Sequence, residues 1–330
     1  MSTQSNERRA FLKAAGALAA AGALPLRAYA QSGQALNLGY QNTSWGTVAM
    51  VADAEKTFEK AGATVKFHRF GSGKETRDAM ISGRIDVGVV GGTPFIVGAA
   101  KGDMGAIGVA MYAGKTNAIV AAKDSGIKTV KDLKGKRVAS QLGSATNYVF
   151  LNKILPKFGL TKDDVHVVNV TFQNQVAAIV GKSADAFAGV EPFPSVAEVE
   201  GLGHAIIDYS QFDMQPVFLG VNAPVLEKRK KELVAFMRGW LAAAHIVNQE
   251  PDRAVKIVWN TFKAQGYDTK EAVFKLMLTK LEVKPEYVPN LKQYLDEQAD
   301  VLVKAKQIQR VPDWSTILDT SVLAQATKSS

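Results

Sequence analysis

The feature that most constrains the fold is a repeated alternation of short apolar segments with longer segments of helical periodicity. The pattern predicts strands at residues 35–40, 64–70, 85–90, 118–123, 137–140, 165–170 and 184–189. Between them it predicts helices at residues 47–61, 74–82, 95–101, 145–158 and 173–180. Strands that alternate with helices are typical of a parallel or mixed sheet covered by helices. The chain is therefore predicted to be an α/β protein.

The pattern occurs twice, which indicates a duplicated architecture. In the first half a helix ends near Gly83 and a short turn leads to Asp86, and in the second half Gly181 and Asp185 take the equivalent places. Solenoid repeats would have far shorter periods. After residue 221 the periodicity predicts successive helices at residues 228–248, 251–264, 269–281 and 289–305. We therefore expect two similar α/β halves and a helical C-terminal segment.

The N-terminal residues have the features of an export signal. A twin arginine, Arg8-Arg9, precedes a short apolar run at residues 14–26, and a small-x-small pattern ends at Ala30. These features predict a twin-arginine signal peptide at residues 1–30, cleaved after Ala30, and therefore a periplasmic protein. The alternative is an N-terminal amphipathic or membrane helix. The apolar run is short and rich in alanine and glycine, however, whereas a membrane span needs about 20 predominantly apolar residues.

The composition excludes several classes of function. The net charge of +9 comes from scattered lysines and arginines, and the densest basic cluster, at residues 227–232, has acidic residues at both ends. A solvated helix face explains this cluster better than a nucleic-acid surface does. The sequence has no cysteine, which removes thiol nucleophiles and thiolate metal sites, and its four histidines lie far apart. We expect neither a metal nor another cofactor.

The strand-to-helix turns are the candidate ligand site, because open α/β sheets bind ligands at the carboxyl ends of their strands. Glycine lets a backbone approach a ligand closely, and helix N-termini offer N–H groups that favour anions. The candidates in these turns are Gln41, Gly71, Ser72, Gly73, Gly92, Thr93, Ser144, Ala145, Thr146 and Asn147. We predict an anion with its charge near residues 72–73 on one side and 144–146 on the other. The alternative is that these residues are ordinary helix N-caps, which prefer the same side chains.

Other side chains at the strand ends are further candidates. Trp45, Phe172 and Phe193 are expected either to enclose an apolar part of the ligand or to belong to the core. Asn117 becomes a better candidate if the serines prove unnecessary. Glu191 has two open roles, since it can bind a ligand ammonium group or pair with a neighbouring lysine or arginine.

These segments together resemble the periplasmic substrate-binding proteins of the nitrate/sulfonate/taurine class of ABC importers. The matching segments are residues 71–73, 79–83 with 86–88, 91–94, 130–138, 143–144 and 185–192. Members often have tryptophan where this chain has Val190 and histidine where it has Asn147. The resemblance implies an α/β, two-lobed periplasmic binding protein of type II-like form. In this fold each lobe is a mixed sheet flanked by helices, and the helical C-terminal segment packs back on lobe one.

The resemblance also implies a domain organisation and a function. Lobe one is expected at residues 31–117 and 224–330, and lobe two at residues 118–223. The lobes are expected to close by a hinge over a small organic anion, either a sulfonate or a carboxylate, with or without an amino or aromatic group. As a monomer, the protein would deliver this ligand to an ABC permease and ATPase, with no nucleic acid as partner.

Two other functions remain open at this point. Desulfinases and a pyrimidine-forming enzyme of the thiamin pathway resemble this scaffold, but their chemistry depends on cysteine or on a cluster of cysteine and histidine. This sequence contains no cysteine. A periplasmic adaptor that presents its ligand to a sensor would have the same sequence features as an import protein.

Overall fold

The computed structural model describes residues 34–328, which contain two five-stranded mixed sheets. The predicted signal peptide at residues 1–30 lies outside the described residues. The strands are β1 (Leu36–Gln41), β2 (Val65–Phe70), β3 (Val87–Gly91), β4 (Met104–Tyr112), β5 (Asn117–Ala122), β6 (Arg137–Ser140), β7 (His166–Asn169), β8 (Ala186–Val190), β9 (Gly203–Asp208) and β10 (Pro216–Asn222). The first sheet has the order β2-β1-β3-β10-β4, and the second has the order β7-β6-β8-β5-β9. The predicted α/β class with two mixed sheets is confirmed.

The two sheets have the same topology, and each forms the centre of one lobe. Three parallel strands come first, followed by an antiparallel fourth strand, which is β10 in the first sheet and β5 in the second. The fifth strand, β4 or β9, pairs antiparallel with the fourth. Both of these edge strands are absent from the sequence prediction. The glycine-rich and continuously buried β4 lacks the alternation that indicates a half-buried strand.

β10 belongs to the first sheet, whereas the sequence predicts that lobe two extends to residue 223. Val217 pairs with Gly91 of β3 on one side and with Met111 of β4 on the other. The chain therefore returns to lobe one at residues 209–215, before this strand. A short apolar strand does not reveal in its sequence which sheet it will join. Apart from residues 216–222, the division into lobes at residues 31–117 with 224–330 and 118–223 stays a proposal.

Helices cover both sheets. They are α1 (Thr47–Glu55), α2 (Thr57–Lys60), α3 (Gly73–Ile81), α4 (Gly92–Ala100), α5 (Ala145–Val149), α6 (Leu155–Lys157), α7 (Gln175–Val180), α8 (Phe193–Val199), α9 (Ala223–Lys228), α10 (Lys230–Gln249), α11 (Pro251–Ala264), α12 (Glu271–Thr279), α13 (Leu291–Lys304), α14 (Trp314–Ile317) and α15 (Ser321–Thr327). Short 3₁₀ turns lie at Ser44–Gly46, Gly114–Thr116, Val130–Leu133, Lys162–Asp164 and Phe172–Asn174, and a π-helical turn, Phe150–Ile154, joins α5 to α6. Between residues 34 and 328, no helix is long and apolar enough to cross a membrane.

An aspartate anchors each sheet at the same place in the repeat. Asp86 accepts a hydrogen bond from the backbone N–H of Asn37 at 2.7 Å, and Asp185 accepts one from that of Arg137 at 2.9 Å. The side chains also pair, because Asn37 Nδ2 donates to Asp86 at 2.9 Å and Arg137 Nη2 donates to Asp185 at 2.7 Å. The hydrogen bond from Arg137 holds the pKa of Asp185 below its usual value. The duplication that the sequence indicates is therefore present in the sheets.

The C-terminal segment packs on lobe one and also reaches lobe two. Helices α10 and α11 pack on α1. The chain after α12 then runs along the edge of β4, where Tyr112 N donates to Glu282 O at 2.9 Å and Val109 N donates to Pro285 O at 3.0 Å. Helix α12 itself contacts α8 of lobe two. The segment is thus fixed to the first sheet while one of its helices touches the second lobe.

Candidate functional site

Residues 41–47 run from the last residue of β1 to the first residue of α1 and are buried along their whole length. The segment reads Gln-Asn-Thr-Ser-Trp-Gly-Thr, so most of its side chains are polar. A polar connection between a strand and a helix normally lies at the surface, where water pairs with its polar groups. Thr43 caps the 3₁₀ turn Ser44–Gly46, and α1 begins immediately afterwards. Burial of such a segment needs a structural reason, which the contacts with lobe two supply.

Four buried side-chain oxygens of this segment have no hydrogen-bond partner among residues 34–328. They are Gln41 Oε1, Asn42 Oδ1, Ser44 Oγ and Thr47 Oγ1. The amide nitrogen of Gln41 is engaged, since it donates to Thr76 Oγ1 at 2.6 Å and to Val89 O at 2.8 Å. A buried polar group left unpaired costs about 1–3 kcal/mol. A cluster of such groups is expected where a polar ligand or ordered water supplies the partners.

Two contacts place residues 41–47 against lobe two. The backbone N–H of Ser44 donates to the carbonyl oxygen of Glu191 at 2.7 Å. The Trp45 ring and Ala145 meet at Gly91, where a Cβ atom would lie 2.9 Å from Trp45 Cζ3 and 3.2 Å from Ala145 Cβ. Only glycine allows this approach without a shift of its neighbours. Residues 41–47 therefore lie where the two lobes meet, and this boundary is the candidate ligand cleft, with residues 41–47 as one wall.

The turn between β6 and α5 forms the opposite wall. Ser144 caps α5, because its Oγ accepts from Asn147 N at 3.1 Å and donates to Gln141 O at 2.7 Å. Gln141 Nε2 reaches across to lobe one and lies 3.4 Å from Gly71 O. Three buried oxygens in this part of the second lobe lack a partner within the described chain, namely Asn147 Oδ1, Ser140 Oγ and Gln175 Oε1.

Ser72 caps α3 in the same way as Ser144 caps α5. Its Oγ accepts from Glu75 N and lies 3.3 Å from Glu75 Oε1, while Gly71 N donates to Glu75 Oε2 at 3.0 Å. Gly73 begins α3 so close to Gly91 that a Cβ would lie 3.3 Å from its nitrogen. Both serines therefore act as N-caps in this structure. A bond from either hydroxyl to an anion would replace an existing hydrogen bond.

The N-termini of α4 and α5 lie side by side in the cleft. Helix α4 begins at Gly92, with Thr93 in its first turn, and its N-cap Gly91 is the residue that approaches Ala145 at the start of α5. The first N–H groups of a helix have no partner within it, and the helix dipole makes this end attractive to anions. One helix from each lobe thus offers backbone donors to the same region.

Asn117 and Thr146 are bonded to each other. Thr146 Oγ1 donates to Asn117 Oδ1 at 2.7 Å, and Asn117 Nδ2 donates to Ala113 O at 2.7 Å. Both residues are completely buried. Their side chains therefore fix α5 to the crossover between β4 and β5.

Glu191 forms an ion pair with Lys280, which is one of the two roles left open by the sequence. Its Oε1 lies 2.6 Å from Lys280 Nζ, and its Oε2 accepts from Ser195 N at 3.1 Å. Burial raises the pKa of Glu191, and the charge of Lys280 offsets part of this rise. A ligand ammonium group would have to compete with Lys280 for this carboxylate.

Trp45 is the aromatic candidate with direct contacts at the cleft. Its indole N–H lies 3.4 Å from Thr116 Oγ1 in the first crossover. Trp45, Phe172 and Phe193 all belong to the main hydrophobic cluster, and Phe172 N donates to Gln141 Oε1 at 3.0 Å. All three aromatic side chains are thus part of the core, and the backbone of Phe172 also holds the glutamine that bridges the lobes.

Three polar residues of the cleft, Asn42, Ser44 and Thr47, are not among the candidates from the sequence. A signal exists, since a polar run with one tryptophan separates a buried strand from a helix. Its burial depends on contacts with lobe two, which the local sequence does not encode. In the part of the chain that the structure describes, no group of three His, Cys, Asp or Glu residues could hold a metal ion.

Two α/β lobes, each built on a mixed five-stranded sheet and meeting at buried polar turns, form the fold of the periplasmic binding proteins. The chain belongs to the NMT1-like family, whose model matches residues 30–259.

Individual relatives agree with this family. The chain is 32% identical over 232 residues to a protein of Escherichia coli (strain K12) that has the provisional name aliphatic sulfonates-binding protein, and the match covers 68% of this chain and 70% of the relative. The alkanesulfonate-binding protein SsuA from Xanthomonas axonopodis pv. citri, solved with bound MOPS, has the same fold with a TM-score of 0.75 and 21% identity, over 86% of this chain and 98% of SsuA. A cysteine-to-serine mutant of DszB in complex with biphenyl-2-sulfinic acid shares the fold with a TM-score of 0.63 and 14% identity, over 89% of this chain and 99% of DszB.

Proposed function

We propose that this protein is the periplasmic solute-binding component of an ABC importer and that it captures a small organic anion, a sulfonate or a carboxylate, by hinge closure of its lobes. Two relatives bear names or ligands that point to sulfonates. The observation that carries the proposal is the set of buried, unpartnered oxygens at Gln41, Asn42, Ser44 and Thr47, within the wall that faces lobe two.

The chemistry of these oxygens favours a ligand with two kinds of polar group. The hydroxyls of Ser44 and Thr47 can donate hydrogen bonds to an anionic oxygen, as can the first-turn amides of α4 and α5. The amide oxygens of Gln41 and Asn42 only accept. A ligand that carries an ammonium or hydroxyl group beside its anionic group would pair with both sets. We therefore expect an amino-substituted anion to bind more tightly than the unsubstituted one.

Calorimetry with matched ligands tests this proposal. Taurine and ethanesulfonate differ by one ammonium group, and β-alanine and propanoate are the corresponding carboxylates. We expect taurine or β-alanine to bind about tenfold or more tightly than its partner without nitrogen, since a hydrogen bond to a charged group contributes about 1.5–3 kcal/mol. Binding of none of the four, together with no rise in melting temperature, would contradict the proposed ligand class.

A pair of threonine variants tests the position of the site. Thr47 and Thr57 each begin a helix, and each has a buried hydroxyl with no partner in the described chain. Thr47 lies in the cleft wall, whereas Thr57 lies in α2, which packs against α10. Thr47→Val should weaken binding of the ligand found by calorimetry by about ten- to a hundredfold, while Thr57→Val should leave it unchanged. Equal affinities of the two variants would place the ligand elsewhere.

An enzyme on this scaffold is the alternative function. The desulfinase-like chemistry that the resemblance implies depends on cysteine, and the sequence has none. We expect a bound ligand to be recovered chemically unchanged after stoichiometric incubation. Release of sulfite or of a new organic product, seen by mass spectrometry, would support the enzyme instead.

A further inference from the structure

The ion pair between Glu191 and Lys280 connects the two lobes. Glu191 follows β8 of the second sheet, and Lys280 follows α12 in the C-terminal segment. Two residues beyond Lys280, the carbonyl oxygen of Glu282 accepts from Tyr112 N at the edge of the first sheet. Lys280 is thus held by lobe one and its carboxylate partner by lobe two.

The backbone of Glu191 connects this ion pair to the candidate site. Its carbonyl oxygen accepts from Ser44 N at 2.7 Å, and its N–H donates to Thr116 O at 2.8 Å. Ser44 is one of the residues with an unpartnered buried hydroxyl. One residue therefore contacts the cleft wall of lobe one, the crossover and the C-terminal segment.

In the part of the chain that the structure describes, the side-chain acceptors around Lys280 Nζ all come from lobe two. Besides Glu191 Oε1 at 2.6 Å, its Nζ lies 3.4 Å from Ser195 Oγ and 3.5 Å from Glu198 Oε2. The side chain of Glu191 is 1% exposed and that of Lys280 is 23% exposed. Removal of one partner from a buried pair leaves the other charge uncompensated, so this pair strongly favours the arrangement in which both are together.

We infer that the Glu191–Lys280 pair is a latch that holds lobe two against residues 41–47, so that Lys280 sets ligand affinity as a positioning residue. This inference rests on the proposed function, because it assigns a control of affinity to the same cleft. The latch acts on the open–closed equilibrium, and a ligand that binds the closed form gains apparent affinity in proportion to the population of that form.

A second ion pair, at the contact between α8 and α12, provides a matched control. Lys270, the N-cap of α12, lies 2.9 Å from Glu200, the C-cap of α8, but its side chain is 63% exposed and that of Glu200 is 31% exposed. Exposed pairs contribute little, because water and salt screen them. Lys270→Gln therefore removes a charge from the same interface without removing a buried contact.

Distance measurements between spin labels test the latch in the ligand-free protein. The sequence has no cysteine, so Lys66→Cys on lobe one and Lys162→Cys on lobe two, both exposed, can be labelled selectively. With Lys280→Gln we expect the distance distribution to shift towards longer values. Lys280→Arg should restore the original distribution, and Lys270→Gln should not change it. If Lys280→Gln does not fold, the double variant Glu191→Gln/Lys280→Met removes the latch without leaving a buried charge.

Taurine binding supplies the second measurement. Lys280→Gln should weaken binding by about tenfold or more, mainly through faster dissociation, and Lys280→Arg should recover most of it. Identical distance distributions for Lys280→Gln and Lys270→Gln would overturn the latch, even if taurine binds well. If the unmodified protein binds none of the four ligands but Lys280→Gln shifts the distances, the latch stands and the proposed ligand class fails.

Discussion

Two polar turns face each other across the cleft, and they use their side chains differently. In residues 41–47 of lobe one, the oxygens of Gln41, Asn42, Ser44 and Thr47 have no partner within residues 34–328. In residues 141–147 of lobe two, the hydroxyls of Ser144 and Thr146 are bonded to the protein itself, and Asn147 Oδ1 is the buried oxygen without a partner in the described chain. Residues 41–47 are buried throughout, whereas Leu142 and Gly143 of the second turn are exposed, and each turn lies at the end of a strand. Similar composition at equivalent positions of a repeat therefore does not mean similar roles.

The difference follows from how each turn starts its helix. Ser144 is an N-cap, and a capping hydroxyl satisfies one of the free N–H groups of the helix. Helix α1 begins after a 3₁₀ turn whose N-cap is Thr43. The hydroxyls of Ser44 and Thr47 therefore cap no helix and have no partner in the described chain. A polar group that the fold does not use is the better candidate for a ligand contact. We therefore expect mutations in the two turns to separate binding from stability.

The largest effect is expected for Ser44→Ala. Loss of its hydroxyl should weaken ligand binding by about ten- to a hundredfold, because a bond to a charged group contributes about 1.5–3 kcal/mol. The melting temperature of the free protein should not fall, since this hydroxyl has no partner in the described chain. Calorimetry and thermal unfolding of the same samples check both statements. If Ser44→Ala lowered the melting temperature strongly but left ligand affinity unchanged, the Ser44 hydroxyl would serve the fold and not the ligand.

Thr146→Val should leave Asn117 Oδ1 without the hydrogen bond that it accepts from Thr146. Without the Thr146 hydroxyl, Asn117 Oδ1 stays buried and unpaired, which should cost about 1–3 kcal/mol in the free energy of unfolding. Urea denaturation measures this change, and Thr57→Val serves as the control because its hydroxyl has no partner to lose among the described residues. Equal stability of the two variants would show that the Thr146–Asn117 bond is replaced by water.

Ser144→Ala tests the capping role directly. Loss of an N-cap costs about 0.5–2 kcal/mol, so the free protein should unfold at a lower urea concentration. Ligand affinity should change less than in Ser44→Ala, because Ser144 already accepts from Asn147 N and donates to Gln141 O. A loss of affinity as large as that of Ser44→Ala, with unchanged stability, would restore the anion contact that the sequence predicts for this serine.

The smallest effect is expected from the aspartates that anchor the sheets. The hydrogen bond from Arg137 lowers the pKa of Asp185, so the ionised pair stabilises the folded protein above the unfolded pKa, about 3.9 for aspartate, and this contribution disappears as pH falls through the folded value. The difference in stability between the unmodified protein and Asp185→Asn should therefore be present at neutral pH and shrink in acid. A difference that is constant from pH 7 to pH 3 would contradict the assignment.

The sequence predicts most of the fold and only part of the cleft. Short apolar segments locate seven strands, because the pattern of buried side chains in a strand is visible within a few consecutive residues. They miss β4, β9 and β10. The resemblance also places residues 216–222 in lobe two, whereas β10 pairs with β3 of the first sheet, because the partners of a strand lie far away in the chain. The turns named as candidate sites lie at the strand ends, but the pairing of Glu191 with Lys280 and the burial of Asn42 and Ser44 arise only from contacts between lobes.

The order of the strands has a consequence for synthesis on the ribosome. All strands of the second sheet lie between Asn117 and Asp208, so that sheet can form as soon as this stretch has emerged. The first sheet must wait, because β10 inserts between β3 and β4, which are made before the whole of the second lobe. Pairings between residues distant in sequence form late, since the loop between them must first be closed. During translation, the backbone groups of β3 and β4 that will pair with β10 therefore stay unpaired until β10 has been made. We expect the chain to need protection by chaperones most at this stage, because unpaired strand edges promote aggregation.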